Sequence, residues 1–146
     1  MPLPKRLYLA SGLFSPNERR FNQELCDILE TCFQVFLPQR DGALVASLRD
    51  ETSMSTKEIC RIIFDLDIAA IKDADLFFAV LDGRAYDEGV CVELGYAKAL
   101  GKEIVGFKSD IRSPLPWGEN PMVSGCIDVW LSSTEEMKTW LPSHVR

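Results

Sequence analysis

Between Ala74 and Gly101 the chain changes hydrophobic period once, and that change constrains its architecture more than any other stretch. Leu76, Phe77, Phe78, Ala79, Val80 and Leu81 form a continuous apolar, β-prone run that Asp82-Gly83 ends, the pattern of a short buried strand and its turn. Val90, Leu94, Ala97 and Leu100 then recur at i, i+4, i+7 and i+10, and Gly101 is a C-terminal stop. Three acids, Asp87, Glu88 and Glu93, lie between the strand and the body of the helix. Strand, acidic loop and helix in that order bring carboxylates to the carboxyl end of a strand, where open α/β sheets bind ligands.

The flanking sequence repeats the alternation. Arg6–Ala10 reads as a first strand, and Ser15-Pro16 opens a helix with serine as N-cap and proline at its first position. Phe21, Leu25, Ile28 and Leu29 carry that helix to about Cys32, and Gln34–Leu37 is a second strand ended by the turn residues Pro38 to Gly42. The polar segment 43–55 lacks a period and reads as a mobile loop with a helical turn; a loop of that length is often functional. A helix follows from about Thr56 to Lys72, with Ile59, Ile62, Ile63, Leu66 and Ala70 on its apolar side. Glu103–Lys108 and Cys126–Leu131 are further strands, separated by a Pro- and Gly-rich stretch, and Ser132 or Ser133 caps a last helix through Trp140. Strands mostly separated by helices predict one flavodoxin-like or Rossmann-like α/β domain over residues 1–146. Its expected sheet is five-stranded and mostly parallel, with helices on both faces.

Composition narrows the function classes. A net charge of −6 argues against a nucleic-acid backbone or an anionic membrane as partner. Five cysteines without CxxC spacing and a single histidine, His144, make a Cys/His metal site a poor expectation. The cysteines read as small buried hydrophobes in a reducing compartment. The opening MPLPKRLYLAS has too short an apolar run for a signal peptide or membrane span, so a cytoplasmic enzyme or binding domain is expected.

Several common sites are absent. SGLFSP follows the first strand in place of GxGxxG, and neither GxxxxGK[ST] nor GxSxG occurs. An excess of carboxylates at strand ends remains. Glu93 lies between Val92 and Leu94, where a charge is costly unless it faces a cleft; the alternative is an exposed glutamate paired with Lys98. Asp87 is either a helix N-cap or a ligand-binding group. Six helical steps would set these two side chains about 120° apart, so they converge only if Asp87 lies in the loop, as the neighbouring Gly89 suggests. Asp67 reads equally as a surface acid beside Lys72 or Arg61, and Tyr8 as core packing on a buried strand.

YLASGLF near the N-terminus, FLPQRDG after the second strand, DLDIAAIKDADLFFAVLDG and DEGVCVELGYAKALGK together resemble the nucleoside 2-deoxyribosyltransferases. The most specific part is Asp-x-Gly-x-x-x-Glu-x-Gly-Tyr-Ala, from Asp87 to Ala97. The resemblance implies cleavage of the N-glycosidic bond of a 2′-deoxyribonucleoside and transfer of the deoxyribosyl group to another base, without a cofactor. It makes Glu93 the nucleophile, kept ionised in part by the nearby helix N-terminus, and Asp67 the acid that serves the departing and incoming bases. Tyr8 would stand beside the nucleophile, while Phe14 and Gln39 would contact the base and Asp87 the sugar, with Gly89 a further substrate-binding residue. Asn120 and Met122 match a segment that in the family enters the neighbouring subunit's site, which implies a homo-oligomer, dimer or hexamer. Pro121 between them departs from the usual aliphatic residue.

Two other readings stand beside this one. A 2′-deoxynucleoside 5′-monophosphate N-glycosidase would use the same nucleophile, but such hydrolases tend to carry serine at the position of Asp87. A carboxylate against a phosphate dianion costs roughly 4 kcal/mol per unit-charge pair at short range and an effective dielectric of 20. A non-catalytic nucleoside-binding module is the other.

Overall fold

The computed structural model describes residues 4–43, 48–50 and 53–144. Its centre is a five-stranded, wholly parallel sheet of β1 (Arg6–Ala10), β2 (Gln34–Phe36), β3 (Leu76–Val80), β4 (Glu103–Phe107) and β5 (Val129–Leu131) in the order β2-β1-β3-β4-β5. This 2-1-3-4-5 order is the flavodoxin-like arrangement, and it reverses direction between β1 and β3. The single α/β domain expected from the sequence is the one observed.

Strand alternation divides the core into two layers. Leu7 and Leu9 of β1 face α1 (Pro16–Leu29), with Leu25 and Leu29, and the α6 helix (Thr134–Trp140) introduced by the Ser133 N-cap. Tyr8 and Ala10 face the other way, toward Ile71 of α3 (Thr56–Asp73) and Val90, Leu94 and Ala97 of α4 (Glu88–Ala99). Ser15 and Ser55 head α1 and α3 with full capping boxes, each hydroxyl accepting from a glutamate backbone N–H three residues on. Those caps satisfy amides that a buried helix end would otherwise leave unpaired.

Some boundaries differ from expectation, for local reasons. Helix α1 stops at Leu29, not Cys32, and the Thr31 hydroxyl donates to the carbonyl of Ile28. Residues 38–42 are not a plain turn: Pro38–Asp41 forms the one-turn helix α2, closed by Asp41 accepting from the Leu37 N–H and by Arg40 donating to the Val35 carbonyl. A second short helix, α5 (Pro121–Ser124), lies in the Pro- and Gly-rich stretch. The last strand starts at Val129, because Asp128 turns back to accept from the Ile104 N–H. On α3, Leu66 is exposed while Ile59 and Ile71 are buried. Of the segment 43–55 expected as a loop with a helical turn, residues 48–50 are helical and 44–47 and 51–52 lie outside the described residues.

Candidate functional site

The β1–β3 reversal leaves a crevice at the carboxyl ends of the two strands, the place where doubly wound sheets take ligands. A cavity of about 510 Å³ opens there, within the usual range for small-molecule sites. Ser11, Leu13 and Phe14 reach it from the loop after β1, Ile63 and Asp67 from α3, and Asp87, Gly89 and Glu93 from the start of α4. The loop between β3 and α4 is tied to the end of β4. Lys108 Nζ donates to the carbonyls of Leu81 and Gly83, and Asp82 accepts from the backbone N–H groups of Ser109 and Asp110. Gly83 has a φ of 99°, a conformation that a side chain would strain.

Asp87 is the N-cap of α4: its Oδ1 accepts from the Val90 N–H at 3.0 Å. Its φ of −61° and ψ of 128° place it outside the helix. This lets it share a cavity with Glu93, six residues on, despite the angular separation a continuous helix would impose. The cap role and the cavity position therefore coexist. A β-carbon added to Gly12 would lie 3.7 Å from Asp87 Oδ2 and 2.7 Å from Glu18 Oε1, so two carboxylates flank that glycine.

Glu93 projects from the second turn of α4 toward the sheet, where the Tyr8 hydroxyl donates to Oε1 at 3.1 Å. Tyr8 is fully buried and stacked between Phe36 and Phe77, so its hydroxyl is held in place. Burial pushes the Glu93 carboxyl up to about 7, with the charges of Asp67 and Asp87 adding to the rise and the Tyr8 hydrogen bond opposing it. The helix N-terminus does not keep Glu93 at an ordinary carboxylate value; desolvation outweighs it. Burial likewise raises Asp67 to about 6 and drives the Tyr8 phenol well above its usual range. Asp67 is thus partly buried in the cavity and is not the surface partner of Lys72 or Arg61. A smaller cleft of about 290 Å³ between α3 and α4 is lined by Phe64, Ile68 and Val92, and it shares Asp67, Gly89 and Glu93 with the main cavity.

The remaining expected residues lie differently. Gln39 is not among the cavity-lining residues: its Oε1 accepts from Asn22 and its Nε2 donates to the Arg19 carbonyl. Each end of the amide holds a protein partner and Gln39 does not line the cavity, so a base contact would require it to turn. Asn120 caps α5 through Oδ1 and the Met122 N–H, and Met122 is 81% exposed; neither lines the cavity of its own chain. Arg19 does line it, and no local pattern marks it, because the residue sits among charged neighbours at the start of α1.

The fold agrees with comparisons to known proteins. Many solved structures share it, among them these three. One is a 2-deoxyribosyltransferase from Bacillus psychrosaccharolyticus (24% identity, TM-score 0.76, covering 92% of this chain and 91% of that one). Another is a conserved protein from Enterococcus faecalis V583 (24%, 0.77, 96% and 98%). The third is a CMP N-glycosidase from Clostridium botulinum (22%, 0.60, 94% and 99%). No curated protein sequence matches the chain significantly. The nucleoside 2-deoxyribosyltransferase family model matches residues 7–129, most of the length, and the chain is a member of that family.

Proposed function

We propose that the protein is a nucleoside 2-deoxyribosyltransferase acting through a covalent deoxyribosyl–Glu93 intermediate. The observation that carries this reading is a half-buried glutamate, hydrogen-bonded by a fixed tyrosine, facing a nucleoside-sized cavity together with two aspartates. Glu93 attacks C1′ as the bond to the base breaks; the bond electrons leave with the base, and Asp67 supplies a proton to it. The incoming base gives its proton to Asp67 and displaces Glu93. Two inversions preserve the β configuration. Asp87 accepts a hydrogen bond from the sugar 5′-hydroxyl through the oxygen that does not cap α4. Phe14 covers the base, and Asn120 and Met122 complete the site of a neighbouring copy. Water is a slower acceptor of the same intermediate.

The fold likeness to a CMP N-glycosidase favours one rival, hydrolysis of a nucleoside 5′-monophosphate. Against it stands Asp87, a carboxylate lining the cavity at the place proposed for the 5′ group. A base-exchange assay by chromatography decides: deoxyinosine or thymidine as donor, adenine or cytosine as acceptor, with ribonucleoside and deoxynucleoside monophosphate controls. Exchange with free deoxynucleosides, abolished in Glu93→Ala, is the expected result. Preference for monophosphates in the unmutated protein would overturn the transferase reading. Binding without turnover would favour a non-catalytic module.

A further inference from the structure

Arg19 is the one cation among the described residues that line the cavity. It stands on α1 directly after the capping-box pair: Ser15 accepts from the Glu18 N–H, and Glu18 accepts from the Ser15 N–H. Its guanidinium is steadied from one side, with Nη1 donating to the Leu13 carbonyl at 2.9 Å, and its own carbonyl accepts from Gln39. Nε and Nη2 remain able to donate beside Leu13 and Phe14. The cavity therefore carries three carboxylates, from α3 and the start of α4, and one guanidinium, held at the Leu13 carbonyl.

A nucleobase is a flat ring with a polar edge. Leu13, Phe14, Pro38, Ala43 and Ile63 supply apolar surface for its faces. The edge then meets Arg19, whose N–H groups only donate, and Gln39, which offers both donor and acceptor, is already engaged with Asn22 and Arg19. A donor-only partner matches a carbonyl, and above all the O6/N7 pair of a 6-oxopurine. An exocyclic amino group in the same place sets donor against donor and leaves both unpaired. We infer that Arg19 reads the base edge and selects bases with a ring carbonyl there (hypoxanthine, guanine, uracil, thymine) over their amino counterparts, adenine and cytosine. This rests on the cavity taking a nucleobase, as in the proposed function.

The test uses two matched pairs, hypoxanthine with adenine and uracil with cytosine, as acceptors for the unmutated protein, Arg19→Gln and Arg19→Lys. Within each pair the carbonyl-to-amino ratio of kcat/KM is compared between proteins, so the intrinsic nucleophilicity of each base cancels. Arg19→Gln, whose amide offers both donor and acceptor, should lower that ratio about tenfold or more in both pairs. Arg19→Lys, a point charge without the planar fork, should lower it less. Calorimetric binding of the same free bases reads the preference without turnover, and thermal unfolding checks that the exposed substitution leaves the fold intact. An unchanged ratio in Arg19→Gln overturns the inference. So does a loss confined to deoxynucleoside monophosphates, which would make Arg19 a phosphate ligand. Carbonyl-selective binding that Arg19→Gln abolishes, without any exchange, would sink the transferase reading and leave this one standing.

Discussion

A carboxylate attacks carbon only when ionised, yet Glu93 holds its proton up to about 7 while Asp67, the proposed acid, gives its proton up near 6. The working combination, Glu93 ionised and Asp67 protonated, is therefore a minority at every pH, and its population peaks between those two values. The kcat/KM profile for deoxynucleoside transfer should be a narrow bell with apparent limbs near about 6 and about 7, values that belong to the coupled pair. A plateau continuing well above the Glu93 value would mean that Asp67 delivers no proton. The same burial has a stability consequence. Between 4.5 and about 7 the folded chain keeps a Glu93 proton that the unfolded chain has released, so stability falls as pH rises through that window. The full loss is on the order of 3 kcal/mol, reached once the pH exceeds the folded value. Glu93→Gln removes this cost and keeps an acceptor for Tyr8. In thermal melts it should be several degrees more stable than the parent at about pH 8, with the gap closing near pH 5. Equal melting temperatures at both would contradict the burial of Glu93 as a destabilising feature.

At the scale of elements, Asp87 joins architecture to the proposed specificity, since one oxygen caps α4 and the other is the one proposed to hold the 5′-hydroxyl. The two roles separate by substitution. Asp87→Ala removes the cap and should cost about 1 kcal/mol in urea unfolding, whereas Asp87→Ser, itself a good cap, should stay near parental stability. Both should weaken nucleoside turnover, and both should accept 5′-monophosphates better than the parent because both lose the carboxylate, the serine variant more so since its hydroxyl can donate to a phosphate oxygen. If the monophosphate-to-nucleoside ratio rises in neither, the carboxylate is not what excludes phosphate. The elements legible in the sequence were those long enough to show a period: the run from Leu76, the spacing of Val90, Leu94 and Ala97, and the Ser15-Pro16 start of α1. Helices α2 and α5 were not legible, because four residues make one turn and carry no periodicity; a leading proline and contacts from Arg40, Asp41 and Asn120 form them. The same limit applied to the site. The acids of α4 stood out against their apolar neighbours, but the Glu93 value is set by burial in the folded chain, by the charge of Asp67 on another helix and by the opposing hydrogen bond from Tyr8, 85 positions away. Gln39 was taken up by Asn22 and Arg19 through contacts that no local pattern announces.

For the whole molecule, the cavity of a single chain is open in a way that suits transfer poorly. Glu93 and Asp67 are reached both from the main cavity and from the cleft between α3 and α4, whose rim carries Phe64 at 55% and Val92 at 68% exposure. A covalent sugar ester open to water on two sides would hydrolyse, so base exchange calls for a cover. Asn120 and Met122 lie outside their own chain's cavity, and Met122 is 81% exposed, which fits the proposal that they serve a second copy. Sedimentation should then show an oligomer, and a fully active monomer would end that proposal. A sharper test mixes two defective proteins, Glu93→Ala and Asn120→Ser, the latter keeping a capping side chain on α5. Each alone should be weak in base exchange. If sites are shared across a two-fold interface, unfolding and refolding the pair together yields hybrids in which one site has an intact Glu93 from one chain and an intact Asn120 from the other. Random pairing of two kinds of chain in a dimer restores about a quarter of the sites. Recovery toward that level is expected. Activity that never exceeds the average of the two separate proteins would show that each chain builds its site alone, and Asn120 would then act only as the cap of α5.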